Sequence, residues 1–370
     1  MNFKTYKIAE LIDEIAMGPF GSNIKVECFV DDGIPVLNGS NLDGFRLSEK
    51  EFRYVTPEKA SSLKKANATR GDVVITHRGT LGQIVYIPKT SRYERYVISQ
   101  SQFRVRCNNK ILPEYMVYYF HTAIGQHKLL SNVSQVGVPA LARPSSTFQQ
   151  IEIEVPSIDV QRKIVAILDA IQEKINCSNK INDNLEQQAM ALYASMFLDN
   201  PAVETTAGTL KDIADITMGQ SPSGSSYNED GNGEVFYQGR AEFGYRFPTR
   251  RLYTTEPKRM AEAGDVLLSV RAPVGDLNVA YERCCIGRGL GAIHGRNGYQ
   301  SFVLYTMFAL RPQLDVYNGE GTVFGSINRN ALNDTQGCSR VQLHQNEGQR
   351  PARAVHRRIQ SVRNGTPAGT

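Results

Sequence analysis

At 370 residues, 41% hydrophobic and 21% charged, the chain has a globular composition and room for two or three domains of ordinary size. No run approaches the roughly 18–20 consecutive apolar residues of a membrane span, and residues 1–15 lack the apolar core of a secretory signal, so the cytoplasm is the expected compartment. The formal charge of +5 falls wholly in residues 337–370, which hold six Arg and one Glu; residues 1–336 balance at zero, so net charge names no partner for the body of the chain.

The six cysteines (Cys28, Cys107, Cys177, Cys284, Cys285, Cys338) form no CxxC and no His/Cys pair at ligand spacing. Neither a disulfide framework nor a zinc site is encoded, and buried, reduced thiols are expected.

In chain order, the first feature is a Gly/Pro turn, MGPFGS at 17–22. A loop-rich stretch follows in which Asn38, Asn41, Arg46 and Arg53 stand beside aromatic residues. RGDVVITHRGTLGQI at 70–84 predicts a buried strand, because a short β-rich run is opened by Gly-Asp and closed by a glycine. EYMVYYFHTAIGQHKLL at 114–130 spaces its apolar and aromatic residues as a helix does.

Residues 156–201 predict one long helix. Pro156 and Ser157 give a start signal with Asp159 in the first turn, and no Gly or Pro intervenes before Asn200-Pro201. Ile164, Ile167, Leu168, Ile171, Ile175, Ile181, Leu185, Ala189, Leu192 and Met196 form a stripe at helical to heptad spacing. Residues 157–197, at ~1.5 Å each, make a rod on the order of 60 Å. An apolar stripe of that length calls for a partner helix, and the length counts against an ordinary core helix.

Beyond the helix the pattern repeats. AGDVLLSVRAPVGDL at 263–277 aligns without gaps on 70–84, with five identities (Gly71/Gly264, Asp72/Asp265, Val73/Val266, Arg78/Arg271, Gly82/Gly275). MGQSPSGSS at 218–226 answers MGPFGS, and SFVLYTM at 301–307 answers EYMVYYF, with Tyr118 matching Tyr305. The chain reads as two copies of one mixed α and β domain of about 150 residues, with a period near 190. The second copy has its own polar and basic loop, carrying Gln238, Arg240, Arg246, Arg250 and Arg251.

Enzyme signatures are weak. There is no Pro-Pro pair for an Asn-Pro-Pro-aromatic clamp and no GxxxxGK[ST] phosphate loop. Gly287, Gly289 and Ala292 satisfy GxGxxA without an acidic ribose partner and read as a turn. Glu256-Pro257-Lys258 has a proline where a nuclease-type site needs a strand, and the first copy lacks an equivalent. The six histidines show no nucleophile or ligand spacing. Arg78 and Arg271 occupy the same strand end in both copies. A guanidinium there either reaches a phosphate or guanine edge, or pairs internally with Asp72 and Asp265.

These residues resemble the specificity subunit of type I restriction-modification systems. The resemblance is carried by the two domain openings, by GDVVITHRGTLG and GDVLLSVRAPVG, and by GVPALARPSSTFQQIEIEVPSIDVQRKIVAIL running into the helix, and it covers residues 1 to about 334. It implies an α+β fold: two homologous target-recognition domains, 1–156 and 201–335, separated by a long coiled-coil-type helix at 157–200. It also implies a non-catalytic, sequence-specific reader of double-stranded DNA, each domain reading half of a bipartite target. The helix would set the spacer and dock adenine methyltransferase subunits; a separate restriction motor-nuclease subunit cleaves. S-adenosylmethionine, ATP and Mg would belong to those partners. The candidate DNA contacts are Asn38, Asn41, Arg46, Arg53, Arg78, Gln238, Arg240, Arg246, Arg250, Arg251 and Arg271. The candidate partner stripe is Ile164, Leu168, Ile171, Ile175, Ile181, Leu185, Leu192 and Met196.

The family's second, antiparallel spacer helix has no counterpart here. Residues 336–370 read instead as an atypical Lys-free, Arg-rich tail, either disordered or out of frame. The unpaired stripe then implies a homodimer or a helix of a methyltransferase, and a truncated remnant is the alternative. An enzyme with an unrecognised site, and an adaptor that binds no DNA, are the rivals from other classes.

Overall fold

A computed structural model describes residues 3–19, 23–134, 138–199, 205–318 and 325–341. Two compact units meet between Cys177 and Ser178, inside the long helix. The ends of the helix pack on the unit that each adjoins.

The first unit is built on a four-stranded antiparallel sheet in the spatial order Ile12–Met17, Gln102–Cys107, Val73–Thr76, Ile84–Tyr86. Val73 and Ile75 point to one face, where they join Phe103, Val105, Met116, Val117 and Phe120 in a core shared with the helix Pro113–Phe120. Val74 points to the other face and joins Val85, Tyr96 and Ile98. Both faces are buried, and that is why the strand reads as a continuous apolar run instead of an alternating one. The second layer is a five-stranded mixed sheet in the order Phe29–Val30, Arg53–Val55, Ile34–Val36, Arg95–Val97, Asn67–Thr69.

The second unit repeats this strand for strand. Its four-stranded sheet runs Ala214–Met218, Leu290–Gly295, Val266–Ser269, Leu277–Val279, and its five-stranded sheet Tyr227–Asn228, Leu252–Thr254, Glu234–Tyr237, Cys284–Ile286, Met260–Ala261. Registers agree as well: Val73 lies opposite Val105, and its equivalent Val266 lies opposite Ile293. Val266, Leu268 and Ile293 face Val303 and Met307 of the helix Gln300–Ala309. The motif Gly287-Arg288-Gly289 leads into the strand Leu290–Gly295, not a helix, so no dinucleotide-binding turn forms.

Equivalent glycines close both sheets where the openings MGPFGS and MGQSPSGSS begin. A Cβ on Gly18 would fall 1.9 Å from the Ser99 carbonyl oxygen, and one on Gly219 would fall 2.1 Å from that of Gly287.

Two-stranded ribbons complete the units, one of them Val133–Ser134 with Ala140–Leu141 in the first. Lys4–Lys7 pairs with Glu152–Val155 in the first, and Thr205–Thr209 pairs with Gln336–Val341 in the second. The second domain thus extends six residues into the stretch that reads as a tail. The rest of that tail, residues 342–370, lies outside the described residues.

The α-helix Ile158–Tyr193 continues as a π-helical turn, Ala194–Leu198. Its start is locked by buried Gln161, whose amide donates to the carbonyls of Lys110 and Pro156 and whose oxygen accepts from the Leu112 N–H. Ile164 and Val165 pack into the first core, and Ala189 and Tyr193 into the second. Between these ends, Ile167, Ile171, Ile175 and Ile181 are exposed.

Candidate nucleic-acid interface

Where the strand Val73–Thr76 ends, backbone hydrogen bonds hold the chain on both sides of Arg78. The His77 N–H donates to the Ser101 carbonyl (2.8 Å), the Leu141 N–H to the His77 carbonyl (2.9 Å), and the Gly79 N–H to the Pro139 carbonyl (3.0 Å). The same three bonds recur around Arg271: Val270 N–H to Gly289 (3.0 Å), Ile327 N–H to Val270 (3.1 Å), Ala272 N–H to Gly325 (3.0 Å). Arg78 bridges Ala140 and Arg271 bridges Ser326. Both side chains are exposed, and neither guanidinium has a hydrogen bond or ion pair among the described residues.

The internal alternative for these two arginines is not the one formed. Asp72, fully buried, pairs with Arg106 (2.9 Å) and Arg104 (3.5 Å), with Glu14 balancing Arg104 (2.9 Å). Asp265 pairs with His294 (2.6 Å), which stands at the place of Arg106. The reason is distance: Asp72 begins the strand that Arg78 follows, and at ~3.3 Å per residue an extended strand carries the two side chains well out of reach.

Next to Arg78, His77 turns toward the Gln100 carbonyl (Nε2 to O, 3.2 Å). Burial holds its imidazole below the ordinary value, helped by the neighbouring Arg78 charge. Arg78 is thus the cationic group of this turn at neutral pH.

The remaining candidates divide. Asn38 is exposed on the same rim, caps the turn Gly39–Leu42 by accepting from the Ser40 N–H (2.8 Å), and is linked to the Arg78 loop by the Gln83 amide, which donates to the Gly39 carbonyl (3.0 Å). Gln238 is its equivalent, exposed and linked to the Arg271 turn through the Gly289 N–H, which donates to the Gln238 carbonyl (3.2 Å). Arg53 is exposed on the five-stranded sheet, stacked over the Phe29 ring at 5.3 Å.

Others are spent inside the fold. Asn41 is fully buried and donates to the carbonyls of Ser48 (3.0 Å) and Lys50 (2.8 Å), so its amide is taken up within the fold. Arg46 pairs with Asp169 (3.0 Å), and Arg246 pairs with Glu186. Half-buried guanidinium groups need a counter-charge, and the long helix supplies it. Arg240 pairs with Asp276 (2.7 Å), Arg250 with Glu282 (2.5 Å) and Arg251 with Glu242 (2.7 Å), each remaining about half exposed. Of the helix stripe, Ile164 belongs to the first core, Leu168, Leu185, Leu192 and Met196 are half-buried, and Ile171, Ile175 and Ile181 are exposed.

Two exposed arginines escaped the sequence reading. Arg288 lies on the loop that receives Val270, and Arg143 follows the Ala140–Leu141 strand in a left-handed conformation (φ 46°). The signal for Arg288 was present, since GRG there faces the second copy's strand end. Arrayed on strand-end loops with Arg78 and Arg271, such groups can take a phosphate or fork onto the O6 and N7 of guanine.

Comparisons with known proteins agree with this layout. The sequence profile of the type I restriction modification DNA specificity domain matches residues 5–187. A chain of Methanocaldococcus jannaschii, assigned as the specificity subunit of the type I restriction enzyme MjaX, is 28% identical over 324 residues, covering 81% of this chain and 75% of that one. The type I restriction enzyme HindI specificity subunit of Haemophilus influenzae is 29% identical over 173 residues, 40% of this chain and 36% of that one. A solved type I restriction-modification system S subunit from M. genitalium superposes with a TM-score of 0.55 at 14% identity, covering 99% of this chain and 92% of that one, a likeness of fold alone. With its duplicated sheets, the helix that joins them and these relatives, the chain belongs to the type I restriction-modification DNA specificity family.

Proposed function

We propose that the chain reads double-stranded DNA for a type I restriction-modification complex, each unit presenting its strand-end rim to one half of a bipartite target. The observation that carries this is the pair Arg78 and Arg271: identical backbone bonding, exposed side chains and no internal partner among the described residues. A protein that kept these arginines for its own stability would pair them, as it pairs Arg104 and Arg246.

On this reading the chain has no catalytic step of its own. Adenine methyltransferase subunits hold S-adenosylmethionine, and a restriction motor-nuclease subunit holds ATP and Mg. The helix sets the spacer between half-sites and docks the methyltransferases. The exposed isoleucines at 167, 171, 175 and 181 support a homodimer or a helix-to-helix contact with a partner subunit. No helix among the described residues is long and apolar enough to cross a membrane.

The test is N6-methyladenine mapping across the genome of cells with and without this gene, the cognate methyltransferase left intact. Loss of one bipartite motif on deletion is the expected result. An unchanged methylome overturns the reading.

A further inference from the structure

The loop that carries the rim residue Asn38 also reaches the long helix. At its start, Gly39 accepts from the Gln83 amide (3.0 Å), which ties it to the strand beside Arg78. At its end, the Leu47 N–H donates to the Tyr86 carbonyl (3.0 Å) and the Tyr86 N–H to the Phe45 carbonyl (3.1 Å), so that the backbone around Arg46 is fastened to the sheet edge. From there the Arg46 guanidinium reaches Asp169 (3.0 Å) and, at 3.7 Å, Glu173, one helical turn further on. Asp169 also accepts from the Tyr118 hydroxyl (2.6 Å).

The second unit builds the same device from partly different residues. Arg240 pairs with Asp276 (2.7 Å), tying the start of the loop to the segment that follows Arg271. The Val279 N–H donates to the Arg246 carbonyl (2.9 Å), Arg246 pairs with Glu186, and the Tyr245 hydroxyl donates to Asp183 (3.1 Å). Gly44-Phe45-Arg46 and Gly244-Tyr245-Arg246 are equivalent tripeptides in loops whose other residues differ widely. In the first unit the tyrosine on the helix carboxylate comes from the helix Pro113–Phe120; in the second it comes from the loop itself.

We infer that Arg46 and Arg246 are positioning residues for target spacing: each clamps its DNA-reading unit to its own half of the long helix, Arg46 on Asp169 and Glu173, and Arg246 on Glu186 beside the bond from Tyr245 to Asp183. This rests on the DNA-reading function proposed above. Half-buried ion pairs return little net stability, since desolvation offsets most of the attraction, but they hold geometry well. The Arg46 Nε is buried without a hydrogen-bond partner among the described residues, a feature that suits a fixed geometry better than maximal stability. Play at either clamp lets a rim shift along or around the helix, which the complex would register as tolerance of a longer or shorter spacer.

The experiment maps N6-methyladenine in cells that carry the intact methyltransferase and the full chain as wild type, Arg46→Met, Arg246→Met, or the charge swap Arg246→Glu with Glu186→Arg. The expected result is that both Met variants keep the two half-site sequences and add methylation at sites whose spacer differs by one base pair, to a tenth of the main level or more. The swap should return methylation to the single spacer. Met variants that methylate only the original spacer overturn the clamp, as does loss at every site that the swap does not restore. A wild-type chain that yields no bipartite motif overturns the proposed function itself, and the clamp with it.

Discussion

Among the described residues Arg78 and Arg271 have no acid to answer them, whereas Arg240, Arg250 and Arg251 each have one within 2.7 Å. If the proposed function holds, removing a guanidinium that no other described residue pairs with should cost DNA binding and little else. Arg78→Ala and Arg271→Ala are expected to weaken duplex binding about tenfold each while folding stability changes by less than ~0.5 kcal/mol. Titrations at several salt concentrations check this, a reduced salt slope marking a phosphate contact. Asn41→Ala is the useful contrast: it strips hydrogen bonds from the Ser48 and Lys50 carbonyls and should cost about 2–3 kcal/mol of stability. The sequence alone placed Asn41 and Arg78 in one class, because both are polar residues on loops.

His77 adds a pH dependence at the same scale. Its folded value lies below the ordinary 6.5 because burial disfavours the imidazolium. The unfolded chain therefore binds the proton first as pH falls, and stability is lost below 6.5 and unaffected by this group above it. His77→Gln should show a shallower loss of stability from about pH 7 to about pH 5 than the native chain, measured by urea denaturation at each pH. Equal slopes would mean that His77 titrates alike in both states.

At the scale of elements, the long helix divides its apolar residues between two uses. Ile164, Ala189 and Tyr193 are taken up by the cores of the units, and the isoleucines between them are left for something else. A heptad pattern cannot separate these uses, since both need the same periodicity. Each fully buried isoleucine is worth roughly 1.5–3 kcal/mol, enough for a few of them to drive helix pairing. Ile171→Lys with Ile175→Lys should abolish self-association in sedimentation runs and remove any rise of the melting temperature with protein concentration. If the native chain sediments as a monomer, the homodimer is excluded and a partner subunit is left to cover the stripe.

The ribbon strand Gln336–Val341 shows the opposite failure of pattern. Its equivalent Glu152–Val155 alternates apolar and polar residues along the sequence, whereas the sequence QGCSRV does not. An antiparallel ladder is made by backbone groups, so Thr205–Thr209 can recruit a strand whose side chains announce nothing. The register shifts between Gly208 and Thr209.

At the scale of the whole molecule, duplication was readable because it is a property of residue order. Gly71-Asp72-Val73 and Gly264-Asp265-Val266 announce the same buried strand in the same turn context, and the two sheets then follow in the same spatial order. The long helix was readable for a like reason, its start signal, its length and its lack of Gly and Pro all being local. The unit boundary within that helix was not readable, since it depends on which core each turn packs against. Nor were the roles of the arginines. Arg46, Arg78, Arg246 and Arg271 look alike along the chain, and whether a guanidinium meets a carboxylate depends on through-space neighbours such as Asp169 and Glu186, which the chain brings near only by folding. Periodicity is encoded between near neighbours and survives in the bare sequence; charge pairing acts across space between segments far apart in the chain, and so the division of these arginines into those that meet a carboxylate and those that meet none among the described residues belongs to the tertiary structure.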